Sequence, residues 1–133
     1  MQLRIVTPKG AKAEETVNQV TIPGELGDMG ILPGHLPLLS GLGIGELSYT
    51  TSEGATGYFA VAGGYVEVAD DDVIVVTETA EAPGDIDTER AKASLGDAER
   101  ELTSVDASNA NEVRRVVASI KRAENRLEVA KRR

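Results

Sequence analysis

The residues able to do chemistry in this chain are few: one histidine, His35, no cysteine, and 22 carboxylates set against 14 lysines and arginines. Nucleophilic catalysis needs a Ser, Cys or Thr beside a base, and acid–base work needs a tuned pair of titrating groups. One histidine and scattered carboxylates assemble neither, so a non-catalytic protein is expected. Without cysteine there is no disulfide, thiolate or Cys-ligated zinc. The run Asp70-Asp71-Asp72 lacks the spacing of a calcium loop, and consecutive carboxylates in extended backbone point to alternate sides, so it reads as a solvated turn with no metal. Gly41-Leu42-Gly43-Ile44-Gly45 departs from a phosphate-cradling G-x-G-x-x-G and precedes a strand, so it reads as a turn between strands.

The arginines are more informative. Arg122 and Arg126, with Arg115 and Arg133 extending the stripe, repeat a like charge along one helix face. Like charges four residues apart repel by a few tenths of a kcal/mol, about 0.2–0.5, unless an anion sits between them. The stripe is either a solvated basic face or a seat for an acidic protein surface or a nucleotide phosphate.

Two kinds of element must position these groups. Residues 1–84 hold three basic and twelve acidic side chains (net -9), and twelve of the fourteen glycines fall before residue 80, with short apolar runs between turn residues. Strands are expected at 3–7, 16–22, 45–51, 58–62, 65–69 and 73–79, in a sandwich or barrel, with Val73-Ile74-Val75-Val76 fully buried. With only four aromatics, the core must be built from Val, Ile, Leu and Ala.

After Asp85 the apolar period changes from two to 3.5: Ala91, Leu95, Ala98, Leu102 and Val105 predict one helix seam, and Val113, Val116, Ile120, Ala123, Leu127 and Ala130 a second. Residues 106–111 are turn formers, and Asn109 followed by Glu112 matches a capping box. Residues 85–111 carry net -4 and residues 112–133 net +5, which favours an antiparallel hairpin. A two-helix hairpin buries too little surface to be stable alone, and Gly96 costs its first helix about 1 kcal/mol, so it is expected to detach and rearrange.

The formal net charge of -8 disfavours nucleic acid and anionic lipid. No apolar leader opens the sequence and no run approaches the roughly 20 residues of a membrane span, so a cytosolic address without membrane insertion is expected.

Residues 23–39, Pro-Gly-Glu-Leu-Gly-Asp-Met-Gly-Ile-Leu-Pro-Gly-His-Leu-Pro-Leu-Leu, resemble the G-x-x-G-x-L-P-x-H-x-P-L loop of the epsilon subunit of F-type ATP synthases. The likeness continues through residues 41–47, Gly63-Gly64-Tyr65-Val66-Glu67-Val68, residues 73–76 and Ile86-Asp87-Thr88-Glu89-Arg90-Ala91. It implies an α+β chain in two parts: a flattened β-sandwich over 1–84 bound to the gamma subunit and the c-ring polar loops, and a regulatory antiparallel two-helix hairpin over 85–133.

By the same resemblance Asp28 and Met29 face the c-ring, and Ile31, Leu32, Pro33, His35 and Leu38 lie towards gamma. The residue-level alternative for Pro33-Gly34-His35-Leu36-Pro37 is a rigid turn. The extended hairpin would reach the beta and alpha subunits and block ATP hydrolysis, with Arg115, Arg122 and Arg126 docking on an acidic segment. Ile86, Asp87, Arg90, Ala91, Arg122 and Arg126 match a motif that binds regulatory ATP in some bacterial members, although Asp87 also suits a helix cap. No cofactor is required. The implied place is the cytoplasmic face of the bacterial inner membrane, in a complex coupling proton or sodium flow to ATP synthesis. The competing reading is a stand-alone ligand-binding sandwich with a helical dimerisation tail.

Overall fold

The computed structural model describes residues 1–133. Nine strands come first: β1 (Gln2–Thr7), β2 (Gly10–Gly24), β3 (Gly27–Ile31), β4 (Leu38–Gly41), β5 (Ile44–Thr51), β6 (Thr56–Ala62), β7 (Tyr65–Ala69), β8 (Asp72–Val76) and β9 (Ala80–Glu81). A single 3₁₀ turn, Pro83–Asp85, leads to α1 (Thr88–Ser104) and α2 (Ala110–Ala130).

The long strand β2 belongs to both layers of the sandwich. Its first half pairs with β1 in a layer ordered β4-β7-β8-β1-β2, and its second half pairs with β3 and β5 in a layer that continues through β6 to β9. All pairings are antiparallel except β1 with β8. Fifteen buried residues fill the space between the layers, among them Leu3, Ile5, Val17, Val20, Ile22, Leu47, Val61 and Val75. They are nearly all aliphatic, as four aromatics require.

Three strands were not expected. Gly27–Ile31, Leu38–Gly41 and Ala80–Glu81 are short or glycine-diluted, so their alternation carries little apolar signal. The expectation of a fully buried 73–76 run is corrected: Val73 and Val75 are enclosed, while Ile74 and Val76 are half-buried on the outer face. Parallel pairing to β1 keeps β8 interior to its layer, yet that layer is covered on one side only.

Asp70 and Asp71 form the two-residue connection between β7 and β8, with φ of 52° and 62°. Both central residues of a type I′ turn need positive φ, which Asp tolerates better than most residues. The carboxylate run is therefore a turn, and no group of three or more His, Cys, Asp or Glu is placed to hold a metal ion.

The helices begin at side-chain caps. Asp87 accepts from the Arg90 N–H (3.0 Å) and Asn109 from the Glu112 N–H (3.2 Å). The second cap is half of a capping box, because the Glu112 carboxylate turns to Arg115 and the Asn109 N–H goes to the Asp106 carbonyl. Ala91 and Ala98 of α1 are buried, as are Val116 and Ala123 of α2, in the expected antiparallel seam, but two of its expected members are corrected: Leu102 is exposed, and Ala130 is buried in a cluster with Ala60 of the sandwich.

The hairpin lies against the sandwich through a different face of α2. Val129 and Ala130 pack with Ile86 and Ala60 in a four-residue apolar cluster separate from the main core. Polar contacts surround it: Asn125 Nδ2 donates to the Gly45 carbonyl (2.9 Å), Arg132 pairs with Glu46 (3.1 Å) and stands over the Tyr58 ring, and Arg133 donates to the carbonyls of Pro83 and Ile86. Neither helix is long and apolar enough to cross a membrane.

Candidate functional site

Two surfaces contain the residues singled out by sequence. The first is a cleft of about 480 Å³ between the hairpin and the sandwich, lined by Arg90 of α1, Arg122 and Arg126 of α2, and Glu81 of β9. Arg126 and Glu81 are its anchored pair. Arg126 Nη2 donates to Glu81 Oε2 at 3.0 Å, whereas Nε, 2.8 Å from Oε1, points off the line of a hydrogen bond. One directed bond plus charge attraction holds them.

Arg90 and Arg122 have no carboxylate within 4 Å; the Arg122 side chain donates only to Ser119 Oγ (3.1 Å). The cleft therefore gathers three of the six residues expected at a nucleotide site. The other three do not line it. Ile86 is buried in the apolar contact with Val129, Ala91 is fully enclosed in the helix seam, and the Asp87 carboxylate caps α1. Their positions follow from packing and capping, and they fix where α1 starts and hence where Arg90 projects.

Arg115 lies away from the cleft, between the helices, where it pairs with Glu112 and Glu101. Its hydrogen bonds to the carboxylates of Glu112 and Glu101 raise its already high pKa further. Arg132 is likewise raised, chiefly by its bonds to Glu46. The basic stripe is thus shared out, with Arg115 facing α1, Arg122 and Arg126 lining the cleft, and Arg133 donating to the Pro83 and Ile86 carbonyls.

Sequence reasoning missed Lys9 and Lys12, which line the same cleft, Lys9 from the β1–β2 turn and Lys12 from the start of β2. About eighty residues separate them from Arg90, and no local motif marks them.

The second surface runs along the edge strand β4. Leu32, Leu36 and Leu39 are exposed, as are Pro33 and His35. Leu26, fully exposed at the tip of the β2–β3 hairpin, sits beside one end of β4, because the Glu25 N–H reaches the Gly41 carbonyl (3.2 Å) and Gly24 bridges Leu42. At the other end the Gly34 N–H donates to Asp71 Oδ1 (2.9 Å), fixing the turn that carries His35. Gly34 has φ +82°, a conformation that favours glycine.

Asp28 is exposed on β3, while Met29 and Leu38 are half-buried against the main core. Ile31 is corrected: it is wholly enclosed in that core and offers no surface to a partner. Alternation along β3 sends Asp28 outward and Ile31 inward. Four of the five exposed leucines, Leu26, Leu32, Leu36 and Leu39, lie on this surface, the fifth being Leu102 of α1, and such a patch marks an interaction surface.

Comparison with known proteins bears on both surfaces. A family model for the ATP synthase Delta/Epsilon chain beta-sandwich domain matches residues 1–83, and one for the Delta/Epsilon chain long alpha-helix domain matches residues 85–131. ATP synthase epsilon chain 2 of Syntrophotalea carbinolica is 46% identical over 135 aligned residues, covering 99% of this chain and 94% of the relative. The ATP synthase epsilon chain of Trichlorobacter lovleyi is 44% identical, with 98% and 93% covered. Among solved structures, a chain in the cryo-EM structure of Euglena gracilis mitochondrial ATP synthase (OSCP/F1/c-ring, rotational state 1) superposes with a TM-score of 0.81 at 25% identity, over 97% of this chain and 79% of that one.

Proposed function

The chain belongs to the ATP synthase Delta/Epsilon family, both of whose domains it contains, and from that premise we propose how its two surfaces serve a non-catalytic central-stalk subunit. The β4 edge, with Leu26, Leu32, Leu36 and Leu39, is the anchor to the rotor: its apolar part seats on the gamma subunit, and the β2–β3 tip, carrying Leu26 and the carboxylate of Asp28, meets the polar loops of the c-ring. The sandwich then turns with the rotor as ion flow drives ATP synthesis, at the cytoplasmic face of the membrane. The hairpin regulates hydrolysis. When the hairpin leaves the sandwich Arg126 loses Glu81, and when α1 and α2 part Arg115 loses Glu101 while keeping Glu112; with Arg122, which has no carboxylate partner, they then face an acidic segment of the catalytic sector.

The observation that carries the regulatory part is how little apolar surface holds the hairpin down, four small cluster residues against fifteen in the sandwich core. A docked state of that kind is easily biased. The cleft that Arg90, Arg122 and Arg126 line supports ATP as a ligand that favours docking.

Deleting residues 85–133 from the assembled enzyme tests the regulatory reading. The truncated complex should assemble and hydrolyse ATP faster than wild type, and unchanged hydrolysis removes the inhibitory role. Leu36→Asp with Leu39→Asp tests the anchor. Co-purification with gamma should be lost, and full retention would place the interface elsewhere.

A further inference from the structure

Residues 32–37 are all exposed, and none of them joins either apolar cluster. The segment is nevertheless stiff within itself. Leu32-Pro33-Gly34-His35 has the residue pattern of a type II turn, with Pro second and Gly third, and Gly34 stands at φ +82°. The His35 N–H closes this turn on the Leu32 carbonyl (3.1 Å), His35 Nδ1 donates to the Leu36 carbonyl (2.7 Å), and Pro37 restricts the far end. Apart from its covalent ends, a single hydrogen bond ties the segment to the rest of the chain. The Gly34 N–H, which the turn leaves unused, donates to Asp71 Oδ1 at 2.9 Å. No ion pair reaches it. A stiff segment hung from two ends and one bond takes its orientation from the residue that supplies the bond.

Asp71 is dispensable to the turn in which it stands. A two-residue connection with φ of 52° and 62° at Asp70 and Asp71 favours Asn-Gly or Asp-Gly, because Gly carries no Cβ penalty at positive φ. Glycine at position 71 would serve the β7–β8 turn better than aspartate does. What aspartate adds is a charged acceptor, and hydrogen bonds to an ionised acceptor are stronger than neutral ones. Of the carboxylates of Asp70, Asp71 and Asp72, only that of Asp71 has a hydrogen-bond partner. Its backbone is held in turn, since the Gln2 N–H donates to the Asp71 carbonyl (3.0 Å) and Asp72 pairs with both Ala69 and Gln2. The carboxylate therefore projects from a point fixed by β1, β7 and β8.

We infer that Asp71 is a positioning residue for partner recognition: through Gly34 it holds the 32–37 segment so that Leu32, His35 and Leu36 stand pre-oriented beside Leu39. This rests on the reading of that surface as the seat of the gamma subunit and adds to it a residue from a different connection of the sandwich. A mobile segment must be ordered when the partner binds, and the cost is subtracted from affinity; a segment already held binds without it.

The test is titration of the full chain into the catalytic sector stripped of it, with a thermal melt and NMR amide relaxation of the free chain. Asp71→Gly should melt close to wild type, because relief of positive-φ strain offsets the added chain entropy of glycine. It should nonetheless bind about five- to tenfold more weakly, with the order parameters of Gly34 and His35 falling from the rigid value of about 0.85 towards about 0.6. Asp71→Asn keeps Oδ1 as an acceptor and tolerates positive φ, so it should retain most of the affinity and the order. If Asp71→Gly binds as wild type does while Leu36→Asp with Leu39→Asp abolishes binding, the Asp71 role is overturned and the anchor survives. Wild-type binding by the leucine variant removes the anchor reading and the recognition role together. Order retained at Gly34 and His35 in Asp71→Gly, or an Asp71→Asn variant as weak as Asp71→Gly, also overturns the positioning role.

Discussion

Replacing Val129 by alanine isolates the contact that holds the hairpin down. Val129 is wholly enclosed and packs on Ile86, Ala60 and Ala130, touching none of the fifteen core residues of the sandwich. The substitution removes two methyl groups, worth about 0.8 kcal/mol each when buried, so the docked state should lose about 1.6 kcal/mol. That corresponds to about a fifteenfold shift towards the undocked hairpin. Because the cluster lies at the edge between two parts, it can collapse onto the gap, and no large cavity penalty is added. Hydrogen exchange resolved by segment measures the effect. Amides of α1 and α2 should exchange about fifteenfold faster, while amides of β1, β2 and β8 keep their protection. If strand amides accelerate in step with the helices, the hairpin and sandwich unfold as one cooperative unit and the separate-cluster reasoning is wrong. Unchanged helix exchange would mean that polar contacts alone hold the hairpin.

Other perturbations probe neighbouring parts of the argument. A Cβ at Gly64, where φ is +112°, would lie 1.9 Å from the Val76 carbonyl oxygen, so Gly64→Ala should cost the sandwich about 3 kcal/mol or more in a thermal melt; a melt within error of wild type would show that this connection yields. The Arg126 and Glu81 side chains are 22% and 28% exposed, and a double-mutant cycle on hairpin opening should return a coupling of about 1 kcal/mol that shrinks with salt. A coupling of zero at low salt would make the pair incidental. Hydrogen bonds from the Ser108 hydroxyl and N–H hold the Asp106 carboxyl below its ordinary value. A depressed folded pKa gives a contribution that is complete above the ordinary aspartate range and disappears as pH falls through the lowered value. The Ser108 amide resonance should therefore report loosening of the α1–α2 turn only in that acid window, and a transition at or above the ordinary value would refute it.

What sequence could show depended on how far apart the cooperating residues lie. The two helices were legible because their signals are local: Asp87 and Asn109 cap within three residues, and the seam from Ala91 to Ala98 and from Val116 to Ala123 repeats every three or four. Six strands announced themselves by alternating aliphatics. β3 did not, since Gly27 and Gly30 dilute its pattern to Met29 and Ile31 alone. Val129 was missed because it falls beside the helix–helix seam, on a second face of α2 whose partner, Ala60, is far away in sequence. Arg90, Arg122 and Arg126 were visible as a motif, whereas Lys9 and Lys12 join them only through a bulge and a turn that sequence periodicity does not encode.

The division of labour between apolar and charged contacts carries the functional logic. Had the hairpin been attached through a core like that of the sandwich, release would cost as much as unfolding, and no ligand of ordinary affinity could shift it. Here the small cluster around Val129 sets register, and the balance is left to charges: Arg126 with Glu81 and Arg132 with Glu46 favour docking, while Lys9 and Lys12 facing Arg90 and Arg122 oppose it. Terms of opposite sign offset one another, and a ligand moves such an equilibrium by as much as its affinities for the two states differ. A polyanion seated between the opposing cations reverses one of those terms. Raising salt screens the exposed attraction of Arg132 for Glu46 and the repulsion across the open cleft together. The half-buried Arg126–Glu81 pair is screened less, so added salt without the anion should leave the hairpin more firmly docked than low salt does.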